Sequence, residues 1–306
     1  MTPDEAGFDA PNAGEPRRTL LGGELAVGST REWLRAWVAV LILLGPARLV
    51  LRVAAALPEH GPAGIRGRAA MRAAERWWAR LATRLLGLRL HISGLEHIDP
   101  DERYVVVSLH EGFADGIALL HLPLSFTAVA RDELATFPFL GDQLVRGRHL
   151  LIRPERPIPA ARALRRGAQA AIEAGDSVLL FPQGSILGIE IAFQPGAFHL
   201  ARRLGRPLLP VVVTGGHRVW EHPFAPTLRA GQSMSVDVLP PVAPDEAVSQ
   251  QAHIERCMKR LALDSATPPR RFDPSRDGYW DGYRYEIDPA FPELAERIAS
   301  HRRDAV

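Results

Sequence analysis

The chain has 306 residues, 46% hydrophobic and 24% charged, a globular composition with room for a sizeable core. Its single cysteine, Cys257, excludes a disulfide framework and a cysteine-based zinc site within one chain, and a formal net charge of +2 argues against a dedicated nucleic-acid binder. That total conceals a split: residues 31–89 hold eleven arginines against three acidic residues, a net of +8, between flanking stretches of −3 each.

Residues 1–30 are rich in Gly, Pro, Asp and Glu without periodicity and read as a disordered tail. Their acidic start and the lack of an apolar core directly after it do not fit a signal peptide. Residues 33–57 are strongly apolar. Only twelve uncharged residues separate Arg35 from Arg48, fewer than the roughly 20 of a spanning helix, and Pro46 interrupts the run. The segment reads as a helix dipping into one leaflet or lying at the interface, with a buried core helix as the alternative. Residues 58–67 read as a turn. Residues 68–86 form a second helix, with Arg68, Arg72, Arg76, Arg80 and Arg84 fanned across one side and Trp77, Trp78, Leu81, Leu85 and Leu86 on the other. Basic residues beside tryptophans suit an anionic membrane surface; a solvated face over a packed apolar side is the alternative.

From residue 88 the texture alternates. Short β-like runs are expected at 88–94, 104–110, 126–131, 149–153, 177–182, 207–215 and 234–240, and helices at 159–174, 196–205 and 246–263. This pattern predicts an α/β domain, a mixed β-sheet flanked by helices, behind an N-terminal membrane-docking helical pair. The expected organisation is a tail at 1–30, membrane-associated helices at 31–87, the α/β domain at 88–265 and an extension at 266–306. The aromatic residues Tyr279, Trp280, Tyr283 and Tyr285 of that extension fit no element.

Three clusters carry polar groups at strand ends. The strand at 104–110 runs into His110, with Asp115 five residues on. If a helix opens near residue 113, the carboxylate reaches back to one imidazole nitrogen and raises the basicity of the other. A helix-capping Asp beside a structural His is the alternative. Phe181, Pro182, Gln183, Gly184 and Ser185 follow a buried strand, at the end where open α/β sheets place ligands; an ordinary turn is the alternative. Gly147 to Arg153 place Arg153 at a strand end, suited to a phosphate or simply solvated. No G-x-S-x-G elbow is present, which disfavours a Ser-His-Asp hydrolase.

In order, these clusters resemble the lysophosphatidic-acid acyltransferase-like family, over roughly residues 33–240. His110 and Asp115 match its His-x4-Asp motif, Gly147 and Arg153 its second, Phe181 to Ser185 its Phe-Pro-Glu-Gly-Thr motif, and Pro207 to Pro210 its proline-containing strand. The segments 131–141 and 193–201 also look familiar. The chain departs at Gln183, where the family has Glu, at Ile186, where it has Arg, and at Ile152, where it has Asp. The resemblance implies that those charged residues hold the acceptor's polar head, so their loss bears on a phosphorylated acceptor.

The resemblance further implies a membrane-associated enzyme of phospholipid biosynthesis that moves a fatty acyl chain from acyl-CoA or acyl carrier protein to a lysophospholipid such as lysophosphatidic acid. His110 would be the general base and Asp115 its orienter, with Arg153 and Phe181 to Ser185 binding substrate and N–H groups near Gly184 facing the oxyanion. A non-phosphorylated lipid acceptor is the alternative; a degenerate lipid-binding protein and a thioesterase are further ones. No metal or cofactor is implied. The expected partners are the donor, the lipid acceptor and an anionic membrane surface, without nucleic acid, and the expected location is the cytoplasmic face of a membrane.

Overall fold

A computed structural model of the chain describes residues 17–20, 23–26, 30–57, 61–137, 140–221, 228–272, 286–294 and 296. Near its start β1 (Arg17–Leu20) pairs antiparallel with β2 (Gly23–Ala26), a hairpin where the sequence reads as an unstructured tail. Residues 1–16 lie outside the described residues, as do Tyr279, Trp280, Tyr283 and Tyr285.

Three helices follow: α1 (Thr30–Leu44), α2 (Pro46–Ala55) and α3 (Gly61–Leu86). The break at Gly45 lets Pro46 open α2, where its missing N–H does no harm. From Gly61 the expected turn is instead the first part of α3. Leu34–Ala55 is 22 residues long with a mean hydropathy of 2.0, enough to cross a membrane by length and composition alone, although only 28% of its most apolar stretch is buried. The expectation of a short run stopped at Arg48. Arg48 instead turns to Asp142 at 2.5 Å, and the apolar face continues past it.

The remaining elements build a seven-stranded mixed sheet. In chain order they are β3 (Arg89–Ser93), β4 (Val105–Ser108), α4 (Ala114–Leu119), β5 (Phe126–Arg131), α5 (Leu140–Arg146), β6 (Leu150–Ile152), α6 (Pro157–Glu173), β7 (Ser177–Leu180), α7 (Gly196–Leu204), β8 (Leu208–Thr214), α8 (Gly216–Trp220), β9 (Ser233–Val238) and α9 (Gln251–Leu263). Strand order is β3-β9-β8-β4-β7-β5-β6. The five strands from β8 to β6 run parallel, β9 runs against β8, and β3 runs with β9.

The central strands are buried on both faces, so they read as unbroken apolar runs. Their side chains still alternate. Val105, Val107, Val178 and Leu180 join one core beneath α6, α7 and α9, while Val106 and Leu179 join a second beneath α3 and α4. Phe272, Phe291 and Leu294 of the C-terminal stretch belong to the first core, so packing is continuous across the boundary expected near residue 265.

The connections place a crevice. From β4 the chain leaves through α4, on the second core, toward β5. From β7 it leaves through α7, on the first core, toward β8. Neighbouring β4 and β7 thus send their helices to opposite faces, and the gap beyond their C-terminal ends is the switch point where open α/β sheets bind ligands.

Candidate active site

His110 stands just past β4, and the turn 181–185 stands just past β7, so both flank this crevice. The His110 Nδ1 lies 2.8 Å from Asp115 Oδ2. Asp115 is in the first turn of α4 and is fully buried. The same oxygen accepts the backbone N–H groups of Glu111 at 2.7 Å and Gly112 at 3.0 Å. These three bonds fix the carboxylate and the loop together. With Nδ1–H donating to Asp115, the ring's Nε2 is left as the nitrogen for chemistry. Phe181 stacks on the imidazole, ring centroids 3.9 Å apart and 16° from parallel, which confines the ring's tilt.

Gln183 is 3% exposed and bonds only to backbone. Its Oε1 accepts the His110 N–H at 2.8 Å, and its Nε2 donates to the Gly188 carbonyl at 2.7 Å. Gln183 thus anchors the histidine's main chain from the neighbouring strand. Pro182 is buried, and its carbonyl accepts the Gln194 N–H at 2.7 Å. Gly184 takes φ +68, and its N–H goes to the Phe181 carbonyl at 3.0 Å. That closes the turn and takes the Gly184 donor away from the expected oxyanion role. The half-buried Ser185 Oγ accepts the Leu187 N–H at 3.5 Å.

Arg153 stands apart from this group. It follows β6, three strands from β4, so it is displaced by roughly 14 Å at the usual strand spacing. Its side chain is 62% exposed and ion-paired to Asp132, which holds its guanidinium pKa up.

A second imidazole–carboxylate pair lies beside the first. Glu111 is buried; its Oε2 accepts the Gly215 N–H at 2.8 Å and contacts His217 Nδ1 at 2.9 Å, while its Oε1 accepts the Arg270 N–H at 3.0 Å. The sequence offers no signal for it, because its partners lie more than 100 residues away. Among the described residues no group of three His, Cys, Asp or Glu is arranged to hold a metal.

A histidine just past a central strand, oriented by a buried carboxylate at the switch point of an α/β sheet, is an arrangement suited to general-base chemistry. Residues 89–214 match the family model described as Acyltransferase. The chain is 28% identical over 166 residues to the 1-acyl-sn-glycerol-3-phosphate acyltransferase of Limnanthes alba, covering 53% of this chain and 57% of that one. To the human alpha form it is 27% identical over 197 residues, covering 61% and 68%. To the Pseudomonas aeruginosa enzyme of the same name it is 30% identical over 145 residues, covering 45% and 56%. In fold it resembles the crystal structure of the 1-acyl-sn-glycerophosphate (LPA) acyltransferase PlsC from Thermotoga maritima, with a TM-score of 0.59, 19% identity, and coverage of 75% of this chain and 92% of that one. Over residues 89–214 the chain is similar to acyltransferases of the lysophosphatidic-acid acyltransferase-like family. It spans about 57% of the length of the Limnanthes relative.

Proposed function

We propose that the protein transfers a fatty acyl chain from a thioester, acyl-CoA or acyl carrier protein, to a hydroxyl of a lysophospholipid such as lysophosphatidic acid. The observation that carries this reading is the 2.8 Å bond between His110 Nδ1 and the buried Asp115, which leaves the other imidazole nitrogen outside that bond on a partly exposed side chain. His110 Nε2 takes the proton from the acceptor hydroxyl as its oxygen attacks the thioester carbonyl. The imidazolium that forms is stabilised by Asp115. The tetrahedral adduct collapses with cleavage of the C–S bond, the proton passes from His110 to the thiolate, and an ester and a free thiol leave.

The relatives' names supply the acceptor. Two observations favour a second reading, an acceptor without phosphate: Arg153 is paired with Asp132, and Gln183 is spent on backbone. Purified protein with one acyl-CoA and an acceptor panel separates them. Turnover of lysophosphatidic acid above an uncharged lyso-lipid supports the first, and the reverse order supports the second. His110→Ala should lower turnover by about 100- to 10,000-fold on either acceptor. Wild-type turnover in that variant would overturn both, and thiol release without any acceptor at the full rate would make the protein a thioesterase.

The reading includes membrane association at the cytoplasmic face. It is supported by the exposed apolar residues Leu34, Val38 and Leu41 of α1 and Leu49, Val50 and Val53 of α2, and by the arginines around these helices.

A further inference from the structure

At the opposite end of the parallel strands, a cleft of about 300 Å³ opens between α3, the chain leaving α4, and the starts of β4, β5 and β7. Arg103 at its wall is seven residues before His110, so the cleft is roughly 20 Å from the dyad along an extended strand. Three guanidinium groups line it, from Arg76, Arg80 and Arg103.

What holds these arginines is neutral. Arg76 donates to the Ser125 hydroxyl at 3.0 Å. Arg103 donates to the backbone carbonyls of Pro100 at 3.0 Å and Glu102 at 2.8 Å. Arg80 has no ion pair among the described residues and is exposed. Glu102 is the acidic residue in the lining, and its Oε1 is taken by the Arg103 N–H at 2.7 Å and by Arg206, a cation outside the lining, at 3.1 Å. Behind the cleft, Asp176 and Glu75 are engaged by Arg68 and Arg72. Burial, and then the charge of Arg80, push the Arg76 guanidinium pKa down; the same two causes lower the His121 imidazole at the cleft edge.

We propose that this cleft is a second binding site, distinct from the dyad, for a phosphate group. Guanidinium groups with donors to spare, positioned by neutral acceptors, match the oxygens of a phosphate mono- or diester and gain the counter-charge they lack. Two sources carry that chemistry: a small phosphorylated solute, and the headgroup of an anionic phospholipid. Trp77, 42% exposed and three residues before Arg80 on α3, sits where a lipid surface would also meet an aromatic side chain.

The test uses the full chain, with inorganic pyrophosphate in calorimetry as one arm and sedimentation with phosphatidylcholine vesicles, with or without phosphatidic acid, as the other. The variants are Arg80→Gln and Arg80→Gln/Arg103→Gln. Arg162→Gln/Arg165→Gln on α6 is the control for equal charge loss. The expected result is binding in at least one arm, weakened at least tenfold by the double cleft variant and less than twofold by the control; the arm that responds identifies the source. Should the double variant lose its fold by circular dichroism, Arg80→Gln alone, which breaks no bond, carries the comparison with an expected loss of at least threefold. Absence of binding in both arms, or equal losses in cleft variant and control, overturns the proposal. Neither result depends on catalysis: the His110→Ala protein should bind both probes as the wild type does, and the Arg80→Gln protein should keep its acyl transfer in detergent.

Discussion

Gly216 packs against Asp115 so closely that a methyl group on it would lie 1.7 Å from the carboxylate Oδ1. That oxygen is buried without a hydrogen bond, while its twin Oδ2 carries the bond to His110. The requirement is for space and not for backbone freedom, since Gly216 opens α8 without a positive φ. Gly216→Ala must therefore displace the carboxylate or the helix. A shift of the order of 1 Å at an orienting group lowers turnover by about 100-fold. Steady-state kinetics should show the loss in kcat with a near-native circular dichroism spectrum, whereas an unchanged kcat would mean that Asp115 tolerates displacement.

Gln183 needs an amide, because it accepts from His110 and donates to Gly188 with the two ends of one group. Glutamate, the residue usual in the family motif, keeps the acceptor but turns a carboxylate toward the Gly188 carbonyl in a buried place. Gln183→Glu should destabilise by about 1–3 kcal/mol, measured by urea unfolding. It should not improve KM for a phosphorylated acceptor, since the side chain is not exposed to one. A lower KM for lysophosphatidic acid in that variant would restore position 183 to headgroup binding.

Much of the sheet is legible because its signals are local. The runs 126–131 and 207–215 coincide with β5 and nearly with β8, and Gly175 and Gly205 end their helices at φ +90 and +61. His110 and Asp115 are legible too, being five residues apart across one loop. The arginine-spaced helix misleads for the opposite reason. Period four predicts a broad basic face, yet Arg72 is 2% exposed and bonds Asp176, Glu75 and Thr127 in the interior. Asp176 is 104 residues away, and no periodicity reveals a partner at that distance. Arg48 and Arg52 likewise meet Asp142, so part of the +8 is neutralised within the protein. The Glu111–His217 pair and the clearance at Gly216 are hidden for the same reason.

The interior ions set an acid limit. Burial pushes the Glu75 carboxyl up, but the charge and hydrogen bond of His149, and then those of Arg72, outweigh it and hold the pKa at about 2, against an ordinary 4.5. A depressed carboxylate stabilises the fold fully above its unfolded value and loses that contribution as pH falls through the folded one. Stability should therefore be level above about pH 4.5 and decline toward pH 2, read as Tm against pH. Asp142, lowered to about 2 because its bonds to Arg146 and Arg48 outweigh burial, adds a smaller effect in the same window, since its pairs are partly solvated. Glu75→Gln should be less stable at pH 7 and show a shallower acid decline. An equally steep decline in that variant would assign the acid limit to other carboxylates.

Membrane attachment is best tested on the outer face of α1 and α2, not by removing them. Ala36, Ala39 and Leu43 of α1 face inward, Ala39 and Leu43 join the core beneath α3, and the Trp78 indole donates to the Leu43 carbonyl at 3.2 Å. Deleting residues 1–60 would strip that core and confuse unfolding with release. Leu41 and Val53 are 62% and 60% exposed, so charges there leave the packing intact. Leu41→Asp/Val53→Asp should keep the wild-type Tm within about 2 °C, since exposed substitutions shift stability by about 0.5 kcal/mol or less. Because burying the two side chains in lipid stabilises the bound state by about 1.5–3 kcal/mol each, their loss should reduce sedimentation with anionic vesicles at least tenfold. Unreduced sedimentation of a folded double variant would move the attachment surface away from these helices and leave the remaining exposed arginines of α3 to account for it.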